Sequence, residues 1–210
     1  MDSSRLHFTA VIPFFNEERF LPRTLESLIA QERLPDCIIM IDNASSDGSA
    51  RIAKAFAVQH ARKLEILCLA EDQPGKIHAL ERAGRHFHGD WVAYCDADTW
   101  YPPHYLRRAE QLIRRSPSDI VAVMAVDLLH PPPRHTSLLR IQAILLLSRL
   151  FPRKCHAGGY GHIFKVSALR QAGGYSSVIW SHVLMDHEIV NRLHRFGRSL
   201  YHPDMWCMPA

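Results

Sequence analysis

Gly89-Asp90-Trp91-Val92-Ala93-Tyr94-Cys95-Asp96-Ala97-Asp98-Thr99 is the stretch from which the rest of the chain can be read. Trp91 to Cys95 is an apolar run of the length of a buried strand. A turn signal, Gly89-Asp90, precedes it, and two carboxylates follow. Residues i and i+2 of an extended chain point to the same side, so Asp96 and Asp98 can present both carboxylates to one point. Hard cations such as Mg²⁺ bind through one or two carboxylates together with substrate phosphates. The pair therefore predicts a place where a cation meets a diphosphate. A solvated acidic turn would look the same in isolation; what separates the two readings is the pattern around it.

Similar runs lie on either side. Phe8 to Pro13, Cys37 to Asp42, Leu64 to Leu69 and Ile120 to Val126 read as strands. Between them, Leu21, Leu25, Leu28 and Ile29 recur at helical spacing. Ser45 to Ser49 is a turn placed to cap a helix carrying Ile52 and Phe56. Gly75 to Phe87 and Tyr105 to Arg115 also read as helices. This alternation predicts a three-layer α/β/α domain with a mostly parallel central sheet. Such sheets bind ligands beyond the carboxyl ends of their strands. The polar residues fall there: Pro13 to Glu17, Asp42-Asn43 and Asp96-Ala97-Asp98.

The pattern changes at Pro131-Pro132-Pro133. A helix from Leu138 to Phe151 follows, then Gly158, Gly159 and Gly161, a strand at Ile163 to Val166, Gly173-Gly174, and a last helix carrying Ile189, Val190, Leu193 and Phe196. Residues 1–210 read as one domain with two halves. About 1–128 forms a nucleotide-binding half, and about 129–210 completes the site. The 138–151 helix is apolar over most of its surface, which favours a core or homodimer-interface helix. Its flanking Arg140, Arg149, Arg153 and Lys154 also suit an interfacial helix on an anionic membrane.

Composition narrows the function classes. The chain has 210 residues, 47% hydrophobic and 22% charged, which excludes a disordered or fibrous chain. No apolar run approaches the ~20 residues that cross a bilayer. Met1-Asp2-Ser3-Ser4 shows no basic stretch leading into an apolar one, so no secretory leader is expected. Five cysteines without a CxxC pair then predict reduced thiols and a cytoplasmic location, with the inner face of the membrane as the alternative. The net charge is +4, and the basic residues are scattered rather than clustered, so nucleic acid is not an expected partner. Fourteen histidines carry no HExxH or paired Cys/His spacing, which argues against zinc.

Val11-Ile12-Pro13-Phe14-Phe15-Asn16-Glu17 resembles the opening of family-2 glycosyltransferases, an apolar run ending in Pro-x-x-Asn-Glu. Ile41-Asp42-Asn43-Ala44-Ser45-Ser46-Asp47-Gly48-Ser49 is similar to their Asp-x-x-Ser-x-Asp-x-Ser/Thr segment, and the strand ending in Asp96-Ala97-Asp98 to their Asp-x-Asp strand. The resemblance runs from about residue 7 to 204. It implies a GT-A (Rossmann-like) fold and a nucleotide-diphosphate-sugar donor, with UDP, GDP and dTDP all open. Pro13 and Glu17 would line the nucleotide pocket, with Asp42 and Asn43 at the base or ribose. Asn43 stands where many relatives carry Asp. Asp98, assisted by Asp96, would hold Mg²⁺ or Mn²⁺ on the diphosphate, and His202 is a candidate to complete the cation's shell. Gly75-Lys76-Ile77-His78-Ala79-Leu80 half keeps a Gly-Lys-x-x-Ala-Leu-Asn-x-Gly segment, with Glu81 at the Asn position; Lys76 is a candidate for the diphosphate.

The second half would supply the acceptor side. His156 to Gly161 resembles a small-residue loop, and Gly173-Gly174-Tyr175 a Gly-Gly-Phe/Tyr segment. Met185-Asp186-His187-Glu188 with Arg192 resembles Glu-Asp-x-x-Leu-x-x-Arg, which puts Asp186 at the catalytic aspartate, a general base on an acceptor hydroxyl. An Asp there could instead be only a helix N-cap. The implied activity is inverting, metal-dependent transfer of a sugar to a saccharide or lipid-linked acceptor. Met185 in place of the usual acid keeps a second reading open, a nucleotide-sugar-binding module without turnover. A sugar-1-phosphate nucleotidyltransferase is disfavoured, because its Gly-rich loop is missing after the first strand.

Overall fold

The computed structural model describes residues 5–127, 134–151, 160–180 and 184–210. Four strands of the first half come from the expected runs: β1 (Phe8–Phe14), β2 (Cys37–Asp42), β3 (Glu65–Ala70) and β4 (Trp91–Tyr94). A two-residue strand, β5 (Thr99–Trp100), follows, then β6 (Ile120–Asp127), β7 (His162–Lys165) and β8 (Arg198–Pro209). They form one sheet in the order β3-β2-β1-β4-β7-β6-β8-β5. β1 pairs parallel with β2 and β4, β2 with β3, and β6 with β8; β7 runs against both its neighbours and β5 against β8. The sheet is thus mostly parallel, as expected. β7, from the second half of the chain, sits between β4 and β6 from the first.

Every residue of β1 is buried, because it lies inside the sheet with helices on both faces. Such strands read as unbroken apolar runs. Phe8, Ala10, Ile12 and Phe14 face one side, packed with α1 (Leu21–Ile29), α2 (Ser49–His60) and α4 (Tyr105–Arg115). Val11 faces the other, with Ile39, Val92, Phe164 and residues of α3 (Lys76–Gly84), α6 (Val166–Gln171) and α7 (Met185–Leu193). These two clusters are the interfaces of a three-layer molecule. Each fully buried Leu or Ile in them contributes roughly 1.5–3 kcal/mol.

Beyond the short β5 and α6, which no sequence pattern announced, two longer elements depart from expectation. β8 was not legible as a strand: its run is broken by His202, Pro203 and Asp204. Its pairing with β6 skips from Met124↔Tyr201 to Val126↔Trp206, a bulge that accommodates Pro203, which has no N–H to give a ladder. α5 (Arg134–Leu150) starts four residues before the expected Leu138, and it is not a core helix. Leu139, Leu146, Leu147, Leu150 and the following Phe151 are exposed. Among its described side chains, Ile144, Leu145 and Ser148 turn inward. Pro131 to Pro133, Arg153, Lys154, Cys155, His156, Gly158 and Gly159 lie outside the described residues. No helix among those described is long and apolar enough to cross a membrane.

Candidate active site

The carboxyl ends of β1, β2 and β4 meet at one crevice. There Pro13, Phe15, Glu17, Asn43, Lys76 and Asp98 line a cavity of about 330 Å³, together with Phe14, Asp96, Ala97 and Tyr160. That is the size of a small-molecule site. Another cavity, of about 280 Å³ beside Leu6, Asp90 and Lys165, opens at the amino ends of β4 and β6. Parallel sheets do not place their ligands at that end.

The loop after β1 and the turn after β2 hold each other. Asn16 has φ 54°, a left-handed conformation that Asn tolerates, and its Oδ1 accepts the Ser46 N–H at 2.8 Å. Ser49 Oγ accepts the Glu17 N–H at 2.7 Å, and the Glu18 carboxylate accepts the Gly48 N–H at 2.6 Å. The two sequence segments that stood out therefore form one buttress, which fixes Glu17 at the cavity wall. The helix cap itself, Gly48, offers no side chain; Asp47 Oδ1 takes the Ser49 N–H instead, at 2.9 Å.

Asp42 and Asn43 separate in role. Asp42 accepts the Ser45 N–H at 3.0 Å and closes the turn; it is not among the residues that line the cavity. Asn43 is buried, and its amide is fully engaged. Nδ2 donates to the carbonyls of Glu71 (3.1 Å) and Gln73 (2.7 Å), and Oδ1 accepts from the Gly75 N–H at 2.8 Å. Gly75 has φ 121°, which only glycine adopts readily, and it opens the helix that presents Lys76. An aspartate at position 43 would set a carboxylate against two carbonyl oxygens. Asn43→Asp is expected to lower stability by about 2–4 kcal/mol, since buried charged groups left facing acceptors carry the largest hydrogen-bond penalties. A urea unfolding curve measures it; an unchanged midpoint would contradict the clamp.

Lys76 Nζ donates to Asp96 Oδ1 at 2.5 Å. Asp96, Asp186 and Asp98 together keep the lysine's pKa above its ordinary value despite burial, so it stays protonated. Burial raises the Asp96 pKa and Asp186 adds to the rise, while Lys76 pulls it down. Glu17 is raised by burial first and then by repulsion from Asp98. The crevice is therefore acidic, with one lysine set among its carboxylates.

Asp186 sits in the first turn of α7 but does not cap it: the cap position is Leu184, at φ 69°. Instead Asp186 Oδ1 accepts a hydrogen bond from Tyr175 at 2.7 Å, and His162 Nδ1 lies 3.9 Å from the same oxygen. A small second cavity, lined by Pro13, Lys76, Asp96, His162, Tyr175 and Asp186 among others, adjoins the first and shares Pro13, Lys76 and Asp96 with it. Asp186 thus faces the same Lys76–Asp96 pair that borders the larger cavity. Sequence reasoning did not assign roles to His162 or Tyr175. Nothing local marks them; they meet Asp186 through the pairing of β4 with β7 and the turn at Gly173-Gly174.

The model of "Glycosyl transferase family 2" matches residues 9–171, most of the chain. The chain belongs to glycosyl transferase family 2. It is 27% identical over 112 residues to glycosyltransferase GlyA of Streptococcus pneumoniae, covering 53% of this chain and 16% of that protein. It is 35% identical over 103 residues to the undecaprenyl-phosphate 4-deoxy-4-formamido-L-arabinose transferase of Serratia proteamaculans, covering 48% and 31%. Among solved structures it is similar to the mannosyltransferase PcManGT of Pyrobaculum calidifontis in complex with GDP-Man and Mn²⁺. The TM-score there is 0.79 at 24% identity, over 99% of this chain and 58% of that one. For Staphylococcus aureus TarS 1-349 the TM-score is 0.76 at 15% identity, covering 98% and 60%. These likenesses show the GT-A fold. The chain spans less than two thirds of each of these relatives.

Among the described residues no three His, Cys, Asp or Glu side chains cluster to cage a metal. A cation shared with phosphates needs fewer ligands from the protein. Asp98 suits that use: it lines the cavity, and among the described residues its side chain has one bond, a long 3.3 Å contact from Thr99 Oγ1. His202 does not border the cavity; it lies by Asp204 in the β8 bulge, with Arg108 and Arg149 nearby.

Proposed function

We propose that this chain is an inverting glycosyltransferase moving a sugar from a nucleotide-diphosphate sugar to an acceptor hydroxyl, with Asp186 as general base. The observation that carries the reading is the adjacency of the two cavities: the carboxylate of Asp186 and the crevice bordered by Glu17 and Asp98 meet at the Lys76–Asp96 pair. The nucleotide and its diphosphate occupy the larger cavity, against Pro13, Glu17 and Asp98. Asp98, with Asp96, would hold Mg²⁺ or Mn²⁺, which neutralises charge on the diphosphate when bound. Lys76, protonated and within the same crevice, faces the charge that grows on the departing diphosphate. Asp186 takes the proton of the acceptor hydroxyl as its oxygen bonds to the anomeric carbon. The bond from that carbon to the diphosphate breaks on the opposite face, so the configuration inverts. The PcManGT complex with GDP-Man and Mn²⁺ supports a nucleotide sugar and a divalent cation as ligands. The Serratia transferase, named for a lipid phosphate, supports a lipid-linked acceptor as the alternative to a saccharide, and the exposed apolar face of α5 would suit one.

Met185, the departure that favours a binding module, packs half-buried against the second apolar cluster. The test that separates the readings is nucleotide release from UDP-, GDP- and dTDP-sugars with Mn²⁺, alongside equilibrium binding. Release from one donor class is the expected result. Binding without release would establish the module, and no binding of any donor would overturn both.

A further inference from the structure

Asp186 is held from one side only. Its Oδ1 takes the Tyr175 hydroxyl at 2.7 Å and lies nearest His162, whereas Oδ2 has no hydrogen-bond partner among the described residues. Tyr175 is itself immobilised. Its ring is buried edge-on to Tyr94, with centroids 5.0 Å apart, and it follows Gly173 and Gly174, whose φ values of 85° and 65° turn the chain toward α7. Arg192, on α7 with Asp186, donates to the carbonyls of Ala172 and Gly174 and is braced by Glu188 at 2.6 Å. One helix therefore carries the carboxylate and also clamps the turn that delivers the tyrosine.

We infer that Tyr175 is a positioning residue: it fixes Oδ1 of Asp186 so that Oδ2 is the oxygen that meets the acceptor hydroxyl, and Arg192 holds Tyr175 in place from the same helix. The inference rests on Asp186 being the base. The physical ground is that a carboxylate turns freely about its last bond, where the torsional wells are broad. A single bond donated by the buried Tyr175 hydroxyl to the half-buried carboxylate removes that freedom. Misplacing a reacting group by about 1 Å can cost on the order of 10²-fold in rate. Tyr175 does not line the larger cavity, so its hydroxyl should matter to the reaction step and not to donor binding.

Tyr175→Phe keeps the ring and its packing while deleting the hydroxyl. The probe is hydrolysis of UDP-N-acetylglucosamine or GDP-mannose, whichever turns over with Mn²⁺, with water as acceptor. The expected result is a kcat lower by about 10- to 100-fold, with donor KM unchanged and the melting temperature lower by no more than the few degrees that one lost hydrogen bond costs. Arg192→Lys, which loses the forked contact, should lower kcat in the same sense. Combined with Tyr175→Phe it should lose little more than Tyr175→Phe alone. A parent kcat in Tyr175→Phe, beside an inactive Asp186→Asn, would overturn the positioning role and leave the base assignment standing. A parent kcat in Asp186→Asn would remove the base assignment itself, and the inference with it. A loss in Tyr175→Phe that appears equally in KM and in melting temperature would reduce Tyr175 to a packing residue.

Discussion

Asp186→Asn should lower sugar transfer by on the order of 10²–10⁴-fold, the range that a positioned general base supplies, and leave the fold intact. The side chain is half-buried and makes one close hydrogen bond, in which it accepts from Tyr175. An asparagine oxygen accepts the same bond, so geometry and packing survive while the proton acceptor is lost. Donor binding should be unchanged, because Asp186 borders only the smaller cavity. The measurement is a pair: kcat for transfer or hydrolysis, and the dissociation constant of the free nucleotide. A parent kcat would show that another group takes the proton, and the mechanism would need a new base.

Asp98→Asn is the second large expected effect, and it should strike differently. Asp98 anchors almost nothing structurally: among the described residues its side chain has only the long Thr99 contact, while its carbonyl accepts the Ala210 N–H at 2.9 Å whichever side chain is present. The melting temperature should therefore hold. Turnover should fall by about 10²–10³-fold, the scale of losing one preorganised charge contact at a developing anion. The Mn²⁺ concentration giving half-maximal activity should rise as well. Asp96→Asn would not isolate this effect, because Asp96 also accepts from Lys76. A parent metal dependence in Asp98→Asn would remove Asp98 from the cation's shell.

Much of the candidate site was legible because strand ends are legible. Pro13, Glu17, Asp96 and Asp98 were expected at the sheet's carboxyl edge, while Lys76, at the start of a helix, was a candidate only through the family resemblance; all five line the larger cavity. The placement of the first four follows from local patterning: buried parallel strands are apolar runs, and the first polar residues after them stand at the sheet's carboxyl edge. Asn43 was read at the same edge, but its amide secures the loop before Lys76, a duty set by carbonyls 28 and 30 residues away. β8 was missed for a related reason. Its sequence carries Pro203 and charges, and it becomes a strand only because β6, some eighty residues earlier, offers it a ladder.

The amino-acid sequence alone determined the layer architecture, the parallel core strands and the edge at which chemistry gathers, because periodicity and the spacing of turns are local properties of a chain. Tertiary structure decided which carboxylate leans on which partner: Lys76 on Asp96, and Tyr175 on Asp186. Those contacts join residues 20 and 11 positions apart across separate elements. Their energies depend on burial and on distances of a few ångströms, which exist only once α3 has docked beside the end of β4 and α7 beside the turn that carries Tyr175.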